Sequence, residues 1–157
     1  MSKSTPATNI LSRAGASFTL HEYAYDPHAQ HIGLHAAEAL GVAPDLLLKT
    51  LMTLVDDKPV CVILPSDREV SMKKLAAAVG GKSARMMPIA DAERMTGYVV
   101  GGISPFGQRR RSPTVIEQAA IRHHRVFVNG GRRGLQIMLA PDVIVQTLGA
   151  TIAAVVQ

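Results

Sequence analysis

Two pairs of short apolar runs, each pair separated by a polar turn, limit this chain to folds that contain β-sheet. The first pair is Leu51 to Val55 and Val60 to Leu64, and the second is Val126 to Val128 and Leu135 to Leu139. Short apolar runs bounded by Asp, Asn, Gly and Pro are typical of strands joined as hairpins. Each pair therefore predicts two neighbouring antiparallel strands.

Further strands and helices alternate with these hairpins. Strand patterns cover residues 17–23, 98–100, 114–116 and 151–156, and helical patterns cover residues 7–14, 32–40, 72–79, 91–95 and 141–148. About nine strands and about five helices, with few long crossover helices, favour a mixed α+β fold over a doubly wound parallel sheet. We expect residues 1–157 to form a single domain, with a mostly antiparallel, barrel-like sheet of about seven to nine strands flanked by helices.

The charge balance favours a polyanionic partner. The 157 residues include 17 Lys and Arg against 12 Asp and Glu, and the pI is near 9.7. Composition alone does not separate nucleic acid from a membrane surface, but Arg109–Arg111 and Arg132–Arg133 lie in glycine-rich loops, which indicates one basic face. The chain has no run of about 18 apolar residues and no signal pattern. We therefore expect a cytoplasmic protein without a membrane partner.

Neither cysteine nor histidine predicts a reactive or metal-binding centre. Cys61 is the only cysteine and lies in an apolar run, so a buried thiol is expected. His31 and His35 have the spacing that puts two imidazoles on one helix face, but Gly33 weakens that helix and no third ligand is evident. We expect no metal and no cofactor.

The segment Gly101–Gln108, followed directly by Arg109–Arg111, is the strongest functional signal. Two adjacent glycines allow main-chain N–H groups to approach a ligand oxygen, and Pro105 restricts the shape of the loop. Such a loop can bind an anion or a developing oxyanion, and guanidinium groups suit phosphate. The alternative is a tight turn beside a solvated charge run. Within the loop, Ser104 has no histidine tied to it locally, so a structural role is favoured over a nucleophilic one.

Lys49 stands in the strongly apolar segment Leu46–Leu54, where a lone lysine is less expected than in a polar loop. A partly buried ammonium group needs a partner. The alternative is a lysine at a strand edge whose ammonium group reaches water.

Three segments, taken in order and spacing, resemble one known family. Lys49-Thr50, the segment Thr96–Gly107 and the turn Gly130–Leu135 are similar to those of the YbaK-type Cys-tRNA(Pro) deacylases, in the superfamily of the prolyl-tRNA synthetase editing domain. The Gly-x-x-x-Pro element of that family is here Gly101 to Pro105. The resemblance runs from the first predicted helix to the last predicted strand.

The resemblance implies a trans-editing enzyme that hydrolyses the aminoacyl ester of mischarged tRNA, above all Cys-tRNA(Pro), with prolyl-tRNA synthetase as a partner. It implies a catalytic role for Lys49 and for the backbone of Gly101, Gly102 and Ile103, which would hold the carbonyl oxygen. The implied substrate-binding residues are Tyr23, Ile32, Thr50, Tyr98, Ser104, Pro105, Asn129, Gly130 and Gln136. The expected tRNA contacts are Arg109, Arg110, Arg111, Arg132 and Arg133.

Three departures from the family pattern leave the specificity open. Gln136 stands where the family carries an aspartate, Asn129 replaces a serine, and Ile32 replaces a phenylalanine. Ala- or Ser-charged tRNA therefore remains an alternative substrate, and attack by a water or by the substrate thiol are both open. A non-catalytic RNA-binding module is the rival interpretation, although 4% aromatic residues leave few stacking platforms.

Overall fold

The computed structural model describes residues 4–157, which form five α-helices and eight strands. The helices are α1 (Pro6–Arg13), α2 (Ile32–Leu40), α3 (Met72–Ala78), α4 (Ile89–Thr96) and α5 (Pro141–Leu148). The strands are β1 (Thr19–Glu22), β2 (Leu48–Val55), β3 (Lys58–Pro65), β4 (Ala84–Met86), β5 (Thr114–Glu117), β6 (Val126–Asn129), β7 (Leu135–Leu139) and β8 (Thr151–Ala153). The mixed α+β class and the predicted strand number are confirmed.

The strands form two sheets, and no closed barrel is found among the described residues. One sheet is fully antiparallel, in the order β1-β7-β6. The other has the order β4-β2-β3-β5-β8, in which β5 pairs in parallel with both β3 and β8. The barrel-like closure expected from the sequence is absent, because α5 carries the chain from β7 to the far edge of the other sheet instead of continuing a meander.

Both predicted hairpins are present. In the β2–β3 hairpin, Val55 pairs with Lys58, so the turn consists of Asp56 and Asp57 alone, at φ 49° and 65°. Two consecutive residues with positive φ match the twist of the flanking strands, and aspartate tolerates this conformation better than most residues. The Asp56 carboxylate also accepts hydrogen bonds from the amides of Lys82 and Ser83. That contact fastens the turn to the loop before β4.

The central strand β3 is buried on both faces, which explains its unbroken apolar sequence. Cys61 and Ile63 face a core shared with the three-stranded sheet, α1 and α5. Val62 and Leu64 face a second core, which α3 covers with Leu75. Because successive side chains point to opposite faces, a strand without polar alternation must be covered on both sides.

One strand predicted from the sequence is absent, and one observed strand was not predicted. The segment Tyr98 to Val100 is irregular rather than a strand, because the Val100 N–H bonds the Glu93 carboxylate and its C=O bonds the Arg133 guanidinium, which leaves no ladder partner. Strand β4 was not predicted, since its three residues give no readable alternation. None of the described helices is long and apolar enough to span a lipid bilayer.

Candidate active site

A cleft of about 400 Å³ lies along an open stretch of strand β2. We name it the editing cleft after the family that the sequence resembles. Strand β2 pairs with β3 along its whole length but with β4 only over Thr53 to Val55. Between the isolated bridge of Leu47 with Phe127 and the Met52 carbonyl, which accepts the Met87 N–H, this edge of β2 has no strand partner. The cleft there is closed by the first turn of α2, the start of α4 and the glycine loop, which meets it at Gly101 and Ile103.

Lys49 and Thr50 lie on the open part of β2 and line the editing cleft. The Lys49 side chain is 22% exposed, and its Nζ is 3.7 Å from Oε1 of Glu69, whose own side chain is 71% exposed. Exposed ion pairs of this kind contribute little, so Glu69 does not prevent Lys49 from binding another anion. The Thr50 hydroxyl is buried and has no hydrogen-bond partner among the described residues. The Lys49 ammonium group is therefore available to a ligand, whereas the Thr50 hydroxyl has no exposed surface.

Two of the three expected backbone donors of the glycine loop belong to residues that line the editing cleft and have no protein acceptor within residues 4–157. The Gly102 N–H donates to the Val99 carbonyl at 2.8 Å and closes a turn. Within residues 4–157, the N–H groups of Gly101 and Ile103 have no protein acceptor. The expected donor set is therefore corrected: Gly102 is occupied inside the loop, while Gly101 and Ile103 remain.

The two glycines are required by neighbouring protein groups. A Cβ on Gly101, at φ 89°, would lie 2.5 Å from the Tyr25 hydroxyl oxygen. A Cβ on Gly102 would lie 2.9 Å from the backbone nitrogen of Arg133 and 3.0 Å from the Cα of Arg132. Real Cβ atoms do not approach so closely. The Gly-Gly pair thus allows Tyr25 and the second glycine loop, Gly130–Gly134, to pack directly on the first.

Three side chains hold the first glycine loop in place. Glu93 Oε2 accepts the Val100 N–H at 2.8 Å, and Arg133 Nε donates to the Val100 carbonyl at 3.0 Å. Asn129 Nδ2 donates to the Gly101 carbonyl at 3.0 Å. The Val100 carbonyl and the Gly101 N–H belong to one peptide group, so the Arg133 bond also fixes the direction of the unpartnered Gly101 N–H.

Four residues expected to bind substrate lie in the supporting structure instead. Tyr98 is 5% exposed, and its hydroxyl donates to the Phe106 carbonyl at 2.6 Å. Burial raises the pKa of Tyr98 to about 12. Ser104 is fully buried, and its Oγ accepts the Phe106 N–H, which supports the structural role favoured from sequence. Pro105 is buried away from the cleft. Gly130 is also buried, and its carbonyl accepts the Thr5 hydroxyl.

Tyr23 and Gln136 are also absent from the lining of the editing cleft. Tyr23 packs with α2 and Phe127 in a separate apolar cluster, and Gln136 is 3% exposed on strand β7. Burial raises the pKa of the Tyr23 hydroxyl, and the nearby Gln136 side chain partly opposes this. The Tyr23 hydroxyl and the Gln136 Oε1 have no hydrogen bond of good geometry within residues 4–157. Of the three departures from the family pattern, only Ile32 and Asn129 reach the cleft.

The arginines do not form one continuous surface at the editing cleft. Arg110 and Arg111 line a different cleft, on the other side of α4, and the exposed Arg109 lies against Gly97. Arg132 pairs with Glu22 at 3.0 Å. The Arg133 guanidinium carbon lies 5.2 Å from the centre of the Tyr25 ring. Sequence adjacency to the glycine loop did not predict these separate environments.

Sequence reasoning missed the wall formed by β4 and α4. Met86, Met87, Ile89 and Ala92 line the editing cleft, and Met86 and Ile89 are 46% and 64% exposed. Glu93, the loop acceptor on α4, was missed as well. The exposure of Met86 and Ile89 marks a ligand-facing apolar surface, but it is visible only in the structure, so the sequence held no signal for this wall.

The remaining candidate groups give no second reactive centre. Cys61 is buried, and desolvation raises its pKa to about 12, so the thiol stays protonated at neutral pH. Among the described residues, no group of three or more His, Cys, Asp or Glu side chains could hold a metal ion. His35 instead contacts the Ala24 carbonyl at 3.1 Å and the ring of Tyr23.

Comparison with known proteins agrees with this geometry. The family model of the aminoacyl-tRNA editing domain matches residues 26–146, which contain Lys49 and both glycine loops. The chain belongs to the aminoacyl-tRNA editing domain family. Aminoacyl-tRNA deacylation, which removes wrongly attached amino acids during translation, is accordingly the activity class of this editing domain.

The relatives that match this sequence are of two kinds, one of similar length and one much longer. The editing domain is 32% identical over 153 residues to EbsC of Enterococcus faecalis, a candidate Cys-tRNA(Pro)/Cys-tRNA(Cys) deacylase, and the match covers 96% of this chain and 92% of EbsC. It is 37% identical over 78 residues to the proline–tRNA ligase of Maridesulfovibrio salexigens, which covers 50% of this chain and 13% of the ligase. The editing domain therefore corresponds to nearly all of one relative and to a small part of the other.

Solved structures share the fold. A candidate trans-editing enzyme for prolyl-tRNA synthetase superposes with a TM-score of 0.82 at 19% identity, covering 98% of both chains. Hypothetical protein APE2540 superposes with a TM-score of 0.84 at 22% identity, covering 98% of this chain and 100% of that one. At these identities the likeness shows the fold alone.

Proposed function

We propose that this editing domain hydrolyses the ester between a wrong amino acid and the 3′ adenosine of a tRNA, with Cys-tRNA(Pro) as substrate. The observation that carries the proposal is that one cleft is lined both by Lys49 and by two glycine-loop residues, Gly101 and Ile103, whose backbone N–H groups have no protein acceptor within residues 4–157. The whole-length similarity to EbsC, a candidate Cys-tRNA(Pro)/Cys-tRNA(Cys) deacylase, supports the choice of substrate.

The amides of Gly101 and Ile103 would hold the ester carbonyl oxygen as it gains negative charge. Donors aimed at a developing oxyanion are among the largest contributions to acyl transfer, and removal of one typically costs roughly 10² to 10³ in rate. Lys49 would fix a phosphate or ribose oxygen of the terminal nucleotide, or offset the developing charge. An activated ester needs little beyond positioning and charge stabilisation, so no protein nucleophile is required.

The attacking group is a positioned water or, with cysteinyl-tRNA, the substrate's own thiol. In the first route the water oxygen bonds the carbonyl carbon, the bond to the ribose oxygen breaks, and the proton passes to that oxygen. In the second route the thiol sulfur bonds the carbonyl carbon, the bond from that carbon to the ribose oxygen breaks, and the thiol proton passes to the ribose oxygen. The amino acid then leaves as a cyclic thiolactone. Cys61 serves neither route, because it is buried and protonated. Both routes end in free cysteine, because water opens the thiolactone, so a substrate with a blocked thiol, S-methylcysteinyl-tRNA(Pro), distinguishes them: only water attack still cleaves it.

Substrate choice would depend on the apolar cleft wall. Ile32, Met52 and Ile89 line the cleft with Asn129 as a polar neighbour, so a small side chain fits better than a charged one. Apolar pockets discriminate by only about 1–3 kcal/mol per methylene, so Ala- and Ser-charged tRNA are the competing substrates. Selection of the tRNA itself would come from its acceptor end and from prolyl-tRNA synthetase as a partner, since proline–tRNA ligases carry a related segment.

Replacement of Lys49 tests the proposal. Lys49→Ala is expected to lower the deacylation rate of Cys-tRNA(Pro) at least about 100-fold, the scale of a lost charge-stabilising group, while the circular dichroism spectrum stays unchanged. Lys73→Ala is the matched control, because Lys73 is an exposed lysine on α3 outside the cleft. Turnover near that of the wild type in Lys49→Ala contradicts the proposal. Tight tRNA binding without turnover of Cys-, Ala- or Pro-tRNA(Pro) favours the RNA-binding module instead.

A further inference from the structure

A second cleft, the rear cleft, lies behind helix α4 and is larger than the editing cleft. Its volume is about 780 Å³, within the range of roughly 300–1,000 Å³ that is usual for small-ligand sites. Arg110, Arg111 and Lys58 line it, and all three are exposed. Within residues 4–157, none of these three side chains has an ion pair or a side-chain hydrogen bond, so their charges are available to a ligand.

The acidic groups of the rear cleft are already engaged. Asp91 pairs with Arg94 one turn along α4, and the Asp56 carboxylate accepts the amides of Lys82 and Ser83. The lining carries four cations, Lys58, Arg94, Arg110 and Arg111, against the two carboxylates Asp56 and Asp91, so its net charge is positive.

The basic segment is anchored through its backbone. The N–H groups of Arg109 and Arg110 donate to the carbonyls of Thr96 and Met95, at the end of α4, at 2.9 and 3.0 Å. Farther on, the Pro113 carbonyl accepts the Cys61 N–H of strand β3 at 2.9 Å. Because hydrogen bonds fix the backbone at both ends of the segment, the Cα atoms that carry the arginine side chains stay beside the cleft.

The rear cleft also has an apolar floor and shares a wall with the editing cleft. Leu54, Met87 and Met95 contribute apolar surface between the cations. Met87 lines both clefts, and α4 presents Ile89 and Ala92 to one and Met95 to the other. One helix, about 10–12 Å across with its side chains, therefore separates the two sites.

We propose that the rear cleft binds the tRNA strand next to the charged 3′ end, with phosphates on Arg110, Arg111 and Lys58 and a base against the methionine floor. This assignment rests on the proposed function, because it takes the editing cleft as the site of the terminal ester. A cationic rim suits phosphodiesters, and guanidinium groups also stack on bases. A strand that enters over α4 delivers its ester to Lys49, while its neighbouring nucleotides occupy the rear cleft.

The double variant Arg110→Ala/Arg111→Ala tests this assignment against two substrates. On full-length Cys-tRNA(Pro) we expect KM to rise at least about tenfold, and the slope of log affinity against log salt to fall in magnitude by roughly 1.4 to 1.8, as expected for two lost phosphate contacts. On 3′-O-cysteinyl-adenosine, which lacks the neighbouring nucleotides, we expect turnover to be unchanged. Arg122→Ala/Arg125→Ala removes the same charge from residues that line neither cleft and should leave KM nearly unchanged.

The outcomes separate this proposal from the proposed function. Unchanged KM and salt slope on full-length tRNA, or changes equal to those of the control, overturn the rear-cleft assignment. So does a variant that binds tRNA normally but loses binding to prolyl-tRNA synthetase, because the cleft is then a protein-binding site. Binding of uncharged tRNA gives the same test when no ester is cleaved, so an inactive wild-type protein contradicts the proposed function alone.

Discussion

Arg133 has two alternative roles at the scale of a single residue. Its Nε hydrogen bond to the Val100 carbonyl and its position over the Tyr25 ring make it part of the support for the Gly101 N–H. A direct contact with tRNA, as expected from the sequence, is the other role. The two roles differ in what they change, because an oriented oxyanion donor acts on the transition state, whereas a phosphate contact acts on binding.

We expect Arg133→Ala to lower kcat about tenfold or more while KM changes little, because a misdirected Gly101 amide stabilises the carbonyl oxygen less well. Steady-state kinetics on Cys-tRNA(Pro) measure both constants. Arg133→Lys keeps the charge but not the directed Nε bond, so it should restore little of the lost kcat. A large rise in KM with kcat unchanged, corrected by lysine, would instead assign Arg133 to the tRNA.

The sequence predicted the positions of some site residues and missed those of others, and the difference has a physical reason. Lys49 and Gly101 line one cleft, as the family resemblance implied, because the motifs that carry that resemblance are local in sequence. The position of Gln136 away from that cleft depends on the register between β1 and β7. In that register Gln136 pairs with His21, a residue far from it in sequence. Local patterns carry no information about such pairing.

At the scale of elements, the site depends on the contact between the two glycine loops. Gly102 lies directly on the backbone of Arg132 and Arg133, and Asn129 bonds the Gly101 carbonyl with its amide nitrogen while its Oδ1 accepts the Gly131 N–H. Each loop thus fixes the shape of the other. Sequence analysis predicted both loops, but it attributed the glycines to ligand approach, because only the structure shows which backbone packs against them.

Gly102→Ala is expected to force the two loops apart, because the new Cβ would lie 2.9 to 3.0 Å from backbone atoms that cannot rotate away. We expect kcat to fall at least about tenfold and stability to fall by about 1–3 kcal/mol, the usual cost of overpacking. Kinetics and urea unfolding measure the two effects. Gly15→Ala is the control, because Gly15 has nothing within 4 Å of the new Cβ; it should lose stability through its positive φ but keep full kcat.

Equal activity of Gly102→Ala and the wild type would show that the loop contact does not position the donors. A rise in KM alone would also contradict the prediction, because the displaced groups are backbone donors rather than tRNA contacts.

At the scale of the whole molecule, Glu117 connects the C-terminal segment to strand β5 of the larger sheet. It is 2% exposed at the end of β5, and its carboxylate accepts the N–H groups of Ala119 at 2.6 Å and Val155 at 2.9 Å. The Val155 carbonyl in turn accepts the Ser71 N–H at 2.7 Å, and Gln157 N donates to the Glu69 carbonyl. The C-terminal segment therefore holds the loop that carries Glu69 beside Lys49. A buried carboxylate in a strand gives no signal in sequence of what it bonds.

Removal of this carboxylate should destabilise the fold without touching the chemistry. Glu117→Ala leaves the N–H groups of Val155 and Ala119 without their acceptor. A buried group in this state costs about 1–3 kcal/mol, and the Ala119 group, which is only partly buried, costs less, so we expect a loss of about 2–4 kcal/mol in the free energy of unfolding, measured with urea. Glu117→Gln keeps one acceptor oxygen and should lose roughly half as much. Glu38→Ala, on the exposed side of α2, is the matched control and should stay within about 0.5 kcal/mol of the wild type.

Deacylation per folded molecule should be unchanged in all three variants, because Glu117 lines neither cleft. An unfolding midpoint for Glu117→Ala equal to that of Glu38→Ala would show that the C-terminal segment is held by its apolar contacts alone.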